Sequence, residues 1–317
     1  MWYTVYKYNF SFIIKVLRKL VFFVYFTQCS VYSMMYVVLN MKSTKMKRGK
    51  NMIISCANEK GGTGKTSTTA LLGWELASLG HSTLLVDCDP QSNLTDLMIK
   101  TKSQENTEIT IDPSLFALLI NHRDLKEGII RIKDNLSLLP VASDMNLFSR
   151  WVDKQELTEK EKVTYLKEAL GSIKKDYDFI FLDVSPTMSL TNDNVFMACD
   201  WLIIMLQTQQ RSLLGAKSFL EYLQTNLINM FDSKVDVLGI LPVLTKGQSK
   251  IDNSVLKSAI SEFGENNLFT NVITAMERVK RFDLTGITED HKNVWDKATH
   301  SVYTAVAKEL VNRLGVK

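Results

Sequence analysis

The sequence predicts an α/β fold, a doubly wound, mostly parallel sheet flanked by helices on both faces. Three observations carry this expectation. Short apolar runs rich in β-branched residues alternate with segments of helical spacing. The first run leads through a glycine-rich loop straight into a helix, the context in which a phosphate loop is credible. Two later runs end in aspartate, and ligands of open α/β sheets gather at the carboxyl ends of strands.

The totals allow one sizeable domain: 317 residues, 45% hydrophobic and 23% charged. The net charge of +4 invites a nucleic-acid reading, but its distribution removes the argument. Nine of the 38 basic residues fall in the first fifty positions, where there is no acid, so the remainder carries 29 basic against 34 acidic residues. Any phosphate-backbone contact must therefore come from a local patch. Cys29, Cys56, Cys88 and Cys199 are scattered without metal-ligand spacing, which points to a reduced, cytoplasmic protein. Cys56 and Cys88 sit in apolar runs as small buried thiols.

Residues 1–50 differ from all that follows and form an N-terminal extension ahead of one domain spanning 51–317. Leu20 to Met41 is a charge-free stretch long enough to cross a bilayer, yet Thr27, Gln28, Ser30, Ser33 and Asn40 dilute it and positive charge flanks both ends. A membrane anchor, a disordered or loosely helical extension, and translation upstream of the true start at Met41, Met46 or Met52 all remain open. Mass spectrometry of the native N-terminus separates them.

Met52 to Ala57 (MIISCA) reads as a buried strand, and Ser67 to Leu79 as a helix stopped by Gly80. Between them lies NEKGGTGKTS. Gly61, Gly62 and Gly64 allow backbone N–H groups to converge on phosphate oxygens at a helix start. Lys65 would reach the β and γ phosphates, and the Thr66 hydroxyl would ligate Mg²⁺. The ordinary pattern fails, because its first glycine would fall at Glu59. What stands instead is a second lysine, Lys60, five positions before the first.

Ser82 to Cys88 is the second strand, followed by Asp87-Cys88-Asp89-Pro90-Gln91-Ser92-Asn93; an Asp-Pro turn is the plain alternative for this segment alone. Tyr177 to Val184 is another apolar run, ending in Asp183, whose carboxylate would reach Mg²⁺ through water as in a Walker B strand. Further runs occur at Leu136–Val141, Trp201–Gln207, Val235–Leu244 and Phe269–Ile273. The clearest later helices are Leu213–Met230 and Val294–Leu314, and no linker or repeat divides the chain.

The loop K-G-G-x-G-K-[ST] with its second lysine resembles the deviant Walker A ATPases of the ParA and MinD group, P-loop NTPases of the α/β class. The segment at Asp87 is similar to that family's D-x-D-P-Q-x-N switch, with Ser92 where glycine is usual, and Ser185 stands where a first proline is more common after Asp183. The later stretches LGILPVLTK and RVKRFDLTGITED look like the plasmid-partition branch of Gram-positive bacteria. The resemblance implies ATP and Mg²⁺ as ligands, bound by Lys60, Gly61, Gly62, Thr63, Gly64, Lys65, Thr66 and Ser67, with Thr66, Asp87 and Asp183 around the metal. It implies Lys60, Lys65 and Asp89 as catalytic residues: Lys60 reaching the triphosphate of a second copy, as an arginine finger does, and Asp89 polarising the attacking water. Pro242, Thr245 and Lys246 are candidates to flank the adenine, and a proline in a strand-end loop is the plain alternative.

The expected partners are a second copy in the ATP state, non-specific DNA, and a centromere-binding, ParB-like protein; a nucleoid-associated location follows. The best local DNA patch is Arg278, Lys280 and Arg281, with Lys246, Lys250 and Lys257 in support. A membrane-associated positioning switch of the MinD type is the alternative, but no distinct C-terminal basic amphipathic tail is present and only residues 20–41 could anchor it. Residues before the loop show no helix-turn-helix pattern, so operon autorepression is not expected.

Overall fold

The computed structural model describes residues 51–104, 109–245, 250–290 and 292–316. The expectations on residues 1–50 and on Lys246 therefore lie outside the described residues.

β1 (Met52–Ala57) is the sheet's spine. It alternates apolar side chains to both sides, Ile53 and Ala57 toward one hydrophobic layer, Ile54 and Cys56 toward the other. The chain then forms α1 (Lys65–Ser78), β2 (Thr83–Asp87), α2 (Asn93–Ser103) and α3 (Leu115–Ile120). Next come β3 (Ile130–Lys133), β4 (Leu136–Leu139), α4 (Phe148–Asp153), α5 (Glu159–Gly171), β5 (Phe179–Asp183) and α6 (Leu190–Ala198). The rest comprises β6 (Trp201–Gln207), α7 (Gln210–Tyr222), β7 (Asp236–Thr245), α8 (Lys250–Phe263), β8 (Ile273–Thr274), α9 (Glu277–Thr285) and α10 (Val294–Leu314).

The eight strands stand in the order β3-β4-β2-β5-β1-β6-β7-β8, and every pair is parallel except β3–β4. One layer packs α3 to α8 on the sheet; the other packs α1, α2, α9 and α10. The sheet is thus doubly wound, and its strand order reverses at β1, between β5 and β6. That reversal opens a crevice at the carboxyl end of β1, where the glycine loop begins.

Local chemistry explains the boundaries. Thr158 and Glu161 make a capping box that starts α5, and Gly315, left-handed at φ 63°, closes α10. The predicted helix Leu213–Met230 is α7 continuing through a π-helical turn, Leu223–Ile228, and a final turn, Asn229–Phe231. The predicted run Phe269–Ile273 shrinks to β8: its first residue, Phe269, donates its N–H to the Ile240 carbonyl on β7 at 2.8 Å as part of an isolated bridge, and continuous pairing is confined to Ile273 and Thr274, opposite Val243 and Thr245. β3, the antiparallel edge strand, was not foreseen: its residues IRIK alternate charge with isoleucine, as a half-covered edge requires.

Candidate nucleotide site

The loop after β1 is held in place by carboxamides. Asn58 donates from Nδ2 to the Met205 carbonyl on β6, and its Oδ1 accepts the Lys60 N–H at 2.7 Å. Gln207, the last residue of β6, donates from Nε2 to the Gly62 carbonyl at 3.0 Å. Gly62 and Gly64 take φ of 69° and 78°, left-handed values that a side chain resists, so the loop can curl onto the start of α1. There the first-turn N–H groups lack intrahelical acceptors and face negative charge favourably.

The two lysines part company in this loop. Lys65 is buried, its Nζ donating to the carbonyls of Asn58 at 3.1 Å and Lys60 at 3.3 Å. Burial lowers its pKa, while Asp183 and Asp89 pull it back up. Lys60 is exposed and turns to the other side, where Nζ donates to Gln207 Oε1 at 2.9 Å and Gln209 Oε1 at 2.8 Å. Beside the loop lies a cleft of about 600 Å³, bounded by Gly61 to Ser67, by Asp89, Gln91 and Asn93 of the segment after β2, and by Pro186 after β5.

Asp87 and Asp183 stand opposite each other in register on β2 and β5, both fully buried. Asp87 is committed: Oδ1 accepts the Asp89 N–H at 3.0 Å, and Oδ2 accepts the Thr95 N–H at 2.8 Å and the Thr95 hydroxyl at 2.9 Å. Burial, opposed by those bonds and reinforced by Asp89, pushes its carboxyl up to about 7. Neither oxygen of Asp183 has a hydrogen-bond partner. Burial and then Asp87 raise its pKa well above the carboxylate range, with the neighbouring Thr66 hydroxyl and Lys65 pulling the other way. A buried carboxylate with two unpaired oxygens is costly, and a hard divalent cation with oxygen preference would relieve it. The donor set fits Mg²⁺, which Thr66 and Asp183 would hold.

Asp87 accepts three hydrogen bonds on its two oxygens, which fasten the segment after β2 and the first turn of α2 to the end of β2. Asp89 does reach the cleft, with Oδ1 accepting the Gln91 N–H at 3.0 Å. Ser92, where the resemblance led one to expect glycine, is left-handed at φ 57°, the conformation that explains that preference.

The expected adenine contacts separate. Pro242 is buried within β7 opposite Leu206, inside the strand and not in a strand-end loop. Thr245 does end β7, buried, its carbonyl accepting the Ala275 N–H at 3.0 Å. The expected DNA patch also contracts. Arg278 donates Nε to Asp296 and an Nη to Thr288 at 2.7 Å, and lies over the Phe282 ring at 5.2 Å. It ties α9 to α10 and offers little charge outward; Lys280, paired with Glu277 at 2.8 Å, and Arg281 remain exposed.

Sequence reasoning missed Asn58, Thr95, Gln207, Gln209, and Asn192, whose Nδ2 holds the Asp183 loop through the Ser185 and Thr187 carbonyls at 2.8 and 2.7 Å. One signal was available: β6 ends at Gln207 and is followed by Thr208, Gln209 and Gln210, a carboxamide cluster at the carboxyl end of a strand neighbouring the loop. Cys56, Cys88 and Cys199 are buried free thiols, and burial pushes Cys56 up to about 12. No helix among the described residues is long and apolar enough to cross a membrane.

A parallel sheet with a glycine loop at its topological switch point, a lysine and threonine at the helix start and an aspartate ending a neighbouring strand define a P-loop NTPase. The AAA domain family matches residues 51–237, and the chain belongs to it as a ParA/Soj-type partition ATPase. It is 31% identical over 206 residues to an uncharacterized protein of Methanocaldococcus jannaschii, covering 65% of this chain and 78% of that one. It is 28% identical over 269 residues to the chromosome-partitioning ATPase Soj of Thermus thermophilus, covering 85% and 99%. Among solved structures, the ATP complex of Cyanothece McdA shares the fold at a TM-score of 0.70 and 20% identity, over 85% of this chain and 98% of that one.

Proposed function

We propose that this ATPase is a DNA-partitioning switch that binds Mg·ATP, pairs face to face with a second copy and holds DNA non-specifically while ATP is bound. A centromere-binding, ParB-like partner stimulates hydrolysis and ends the cycle. The observation that carries the reading is the division between the loop lysines. Lys65 is buried among its own loop's carbonyls and serves its own phosphates, whereas Lys60 is exposed, oriented and free to meet a neighbouring triphosphate. A cation delivered only on pairing stabilises charge on the transferring phosphoryl group and makes turnover depend on a second subunit.

Each site residue has a task on this reading. Gly61 to Ser67 cradle the phosphates, Thr66 and Asp183 hold the metal, and Asp89 orients the attacking water at the cleft. Mg²⁺, when bound, neutralises charge on the β and γ phosphate oxygens. Asp87 keeps Asp89 in place through the Asp89 N–H. Thr245, with Lys246, is proposed to flank the base. The name of the Thermus relative, a chromosome-partitioning ATPase, supports the partitioning reading.

Size-exclusion chromatography with ATP tests the proposal. The Asp89→Ala variant should accumulate as a dimer. Lys60→Ala should bind ATP normally yet lose partner-stimulated turnover by about a thousandfold or more, as the loss of an arginine finger does. A protein that remains single with ATP at every concentration overturns the reading.

A further inference from the structure

Lys60 is a surface lysine whose ammonium is nonetheless held. Its two acceptors, Gln207 Oε1 and Gln209 Oε1, are 147 and 149 residues away in sequence. They are brought side by side by a tight turn in which the Gln209 N–H donates to the Gln207 carbonyl at 2.7 Å. Gln207 is 8% exposed, and its Nε2 grips the Gly62 carbonyl at 3.0 Å, so one carboxamide touches both the ammonium and the phosphate loop. The Lys60 N–H is fixed as well, by Asn58 Oδ1 at 2.7 Å. Among the described residues Lys60 makes no ion pair.

The chemistry of these acceptors is informative. A free lysine samples many rotamers and gives up that freedom when it binds. A carboxylate would hold it in place but would cancel its charge and compete with any anion it had to meet. Two neutral carboxamide oxygens orient the ammonium while leaving its charge intact. We propose that Gln207 and Gln209 form a releasable cradle, which keeps Lys60 pre-oriented and uncompensated until a second copy's triphosphate takes it over. Both are positioning residues, and the inference rests on the proposed role of Lys60 across the dimer.

The test substitutes the exposed Gln209, which carries little folding risk, and uses two readouts. In the protein without nucleotide, the acylation rate of Lys60 by an N-hydroxysuccinimide ester is followed by peptide mass spectrometry against exposed Lys160. Gln209→Ala should speed it about threefold and Gln209→Glu should slow it, a change on the scale of one surface charge pair. Equal rates in the wild type and both variants overturn the cradle, whatever the oligomeric state. In sedimentation equilibrium with ATP, Gln209→Glu should weaken the dimer about three- to fivefold, more so at low salt, and Gln209→Ala, which loses only pre-orientation, should weaken it by less and without that salt dependence. Equal dimer affinities for the two variants overturn the handover. Binding of a fluorescent ATP analogue should stay within about twofold throughout, because a surface charge pair next to the loop is screened. A wild type that never pairs with ATP, alongside altered labelling, removes the handover together with the dimer reading and leaves only a lysine-holding contact.

Discussion

Asp87 and Asp183 occupy the same level on adjacent strands, yet their neighbours give them opposite tasks. Three donors close around Asp87 because Thr95, eight residues on, returns at the first turn of α2, whereas the buried oxygens of Asp183 accept no hydrogen bond and have the Thr66 hydroxyl and Lys65 as favourable neighbours. Thr95 also accepts the Val141 N–H on its hydroxyl at 3.1 Å, so a single oxygen joins β2, α2 and the end of β4. Thr95→Val keeps the shape and removes that oxygen, leaving a buried N–H unpaired and Asp87 short of a donor. The expected cost is about 2 to 4 kcal/mol, read as a lower urea midpoint at unchanged slope.

Between elements, a set of hydrogen bonds connects α2 with the segment around α9. Lys100 and Gln104 near the end of α2 donate to the carbonyls of Asp283 and Thr285 at 2.8 and 2.7 Å, and the Thr101 hydroxyl accepts the Ile287 N–H at 2.9 Å. Gly286 makes this approach possible. It is left-handed at φ 78°, and a Cβ there would lie 2.6 Å from the Thr101 backbone nitrogen. Gly286→Ala should therefore destabilise by about 2 to 4 kcal/mol, through left-handed strain plus overpacking that α2 cannot relieve without moving, and denaturant unfolding measures it. α9 also carries the two basic side chains left exposed. Lys280→Ala with Arg281→Ala should abolish ATP-dependent DNA retention in a low-salt filter assay and spare nucleotide binding; unchanged retention rules the patch out.

Across the whole molecule, a buried ionic contact fastens the last helix to the helix after the glycine loop. His300 on α10 places Nδ1 2.6 Å from Glu75 on α1 and Nε2 2.8 Å from the Thr288 carbonyl, and Thr304 adds its hydroxyl to Glu75. Both ring nitrogens face acceptors, which suits the charged imidazole. Burial disfavours that charge, but the Glu75 and Thr288 contacts, with Glu289 further off, outweigh it and raise the pKa above the ordinary histidine value. The folded pKa exceeds the unfolded one, so this stabilisation is complete below about pH 6.5 and is lost as pH rises through the folded value. Its slope is at most about 1.4 kcal/mol per pH unit. His300→Gln should flatten the decline in stability above neutral pH, as followed by denaturant titration at several pH values. The sequence alone determined the sheet class, the glycine loop with its two lysines and the strand ending in Asp183, because these depend on periodicity and spacing within a few residues. Tertiary structure decided the rest. Asp87 turned inward to Thr95, Arg278 was taken by Asp296, Pro242 sank into β7, and Lys60 found two glutamines from the far half of the chain. A hydrogen-bond partner brought in by the sheet's crossovers leaves no periodic trace in the sequence, and only the folded chain specifies which donors and acceptors meet.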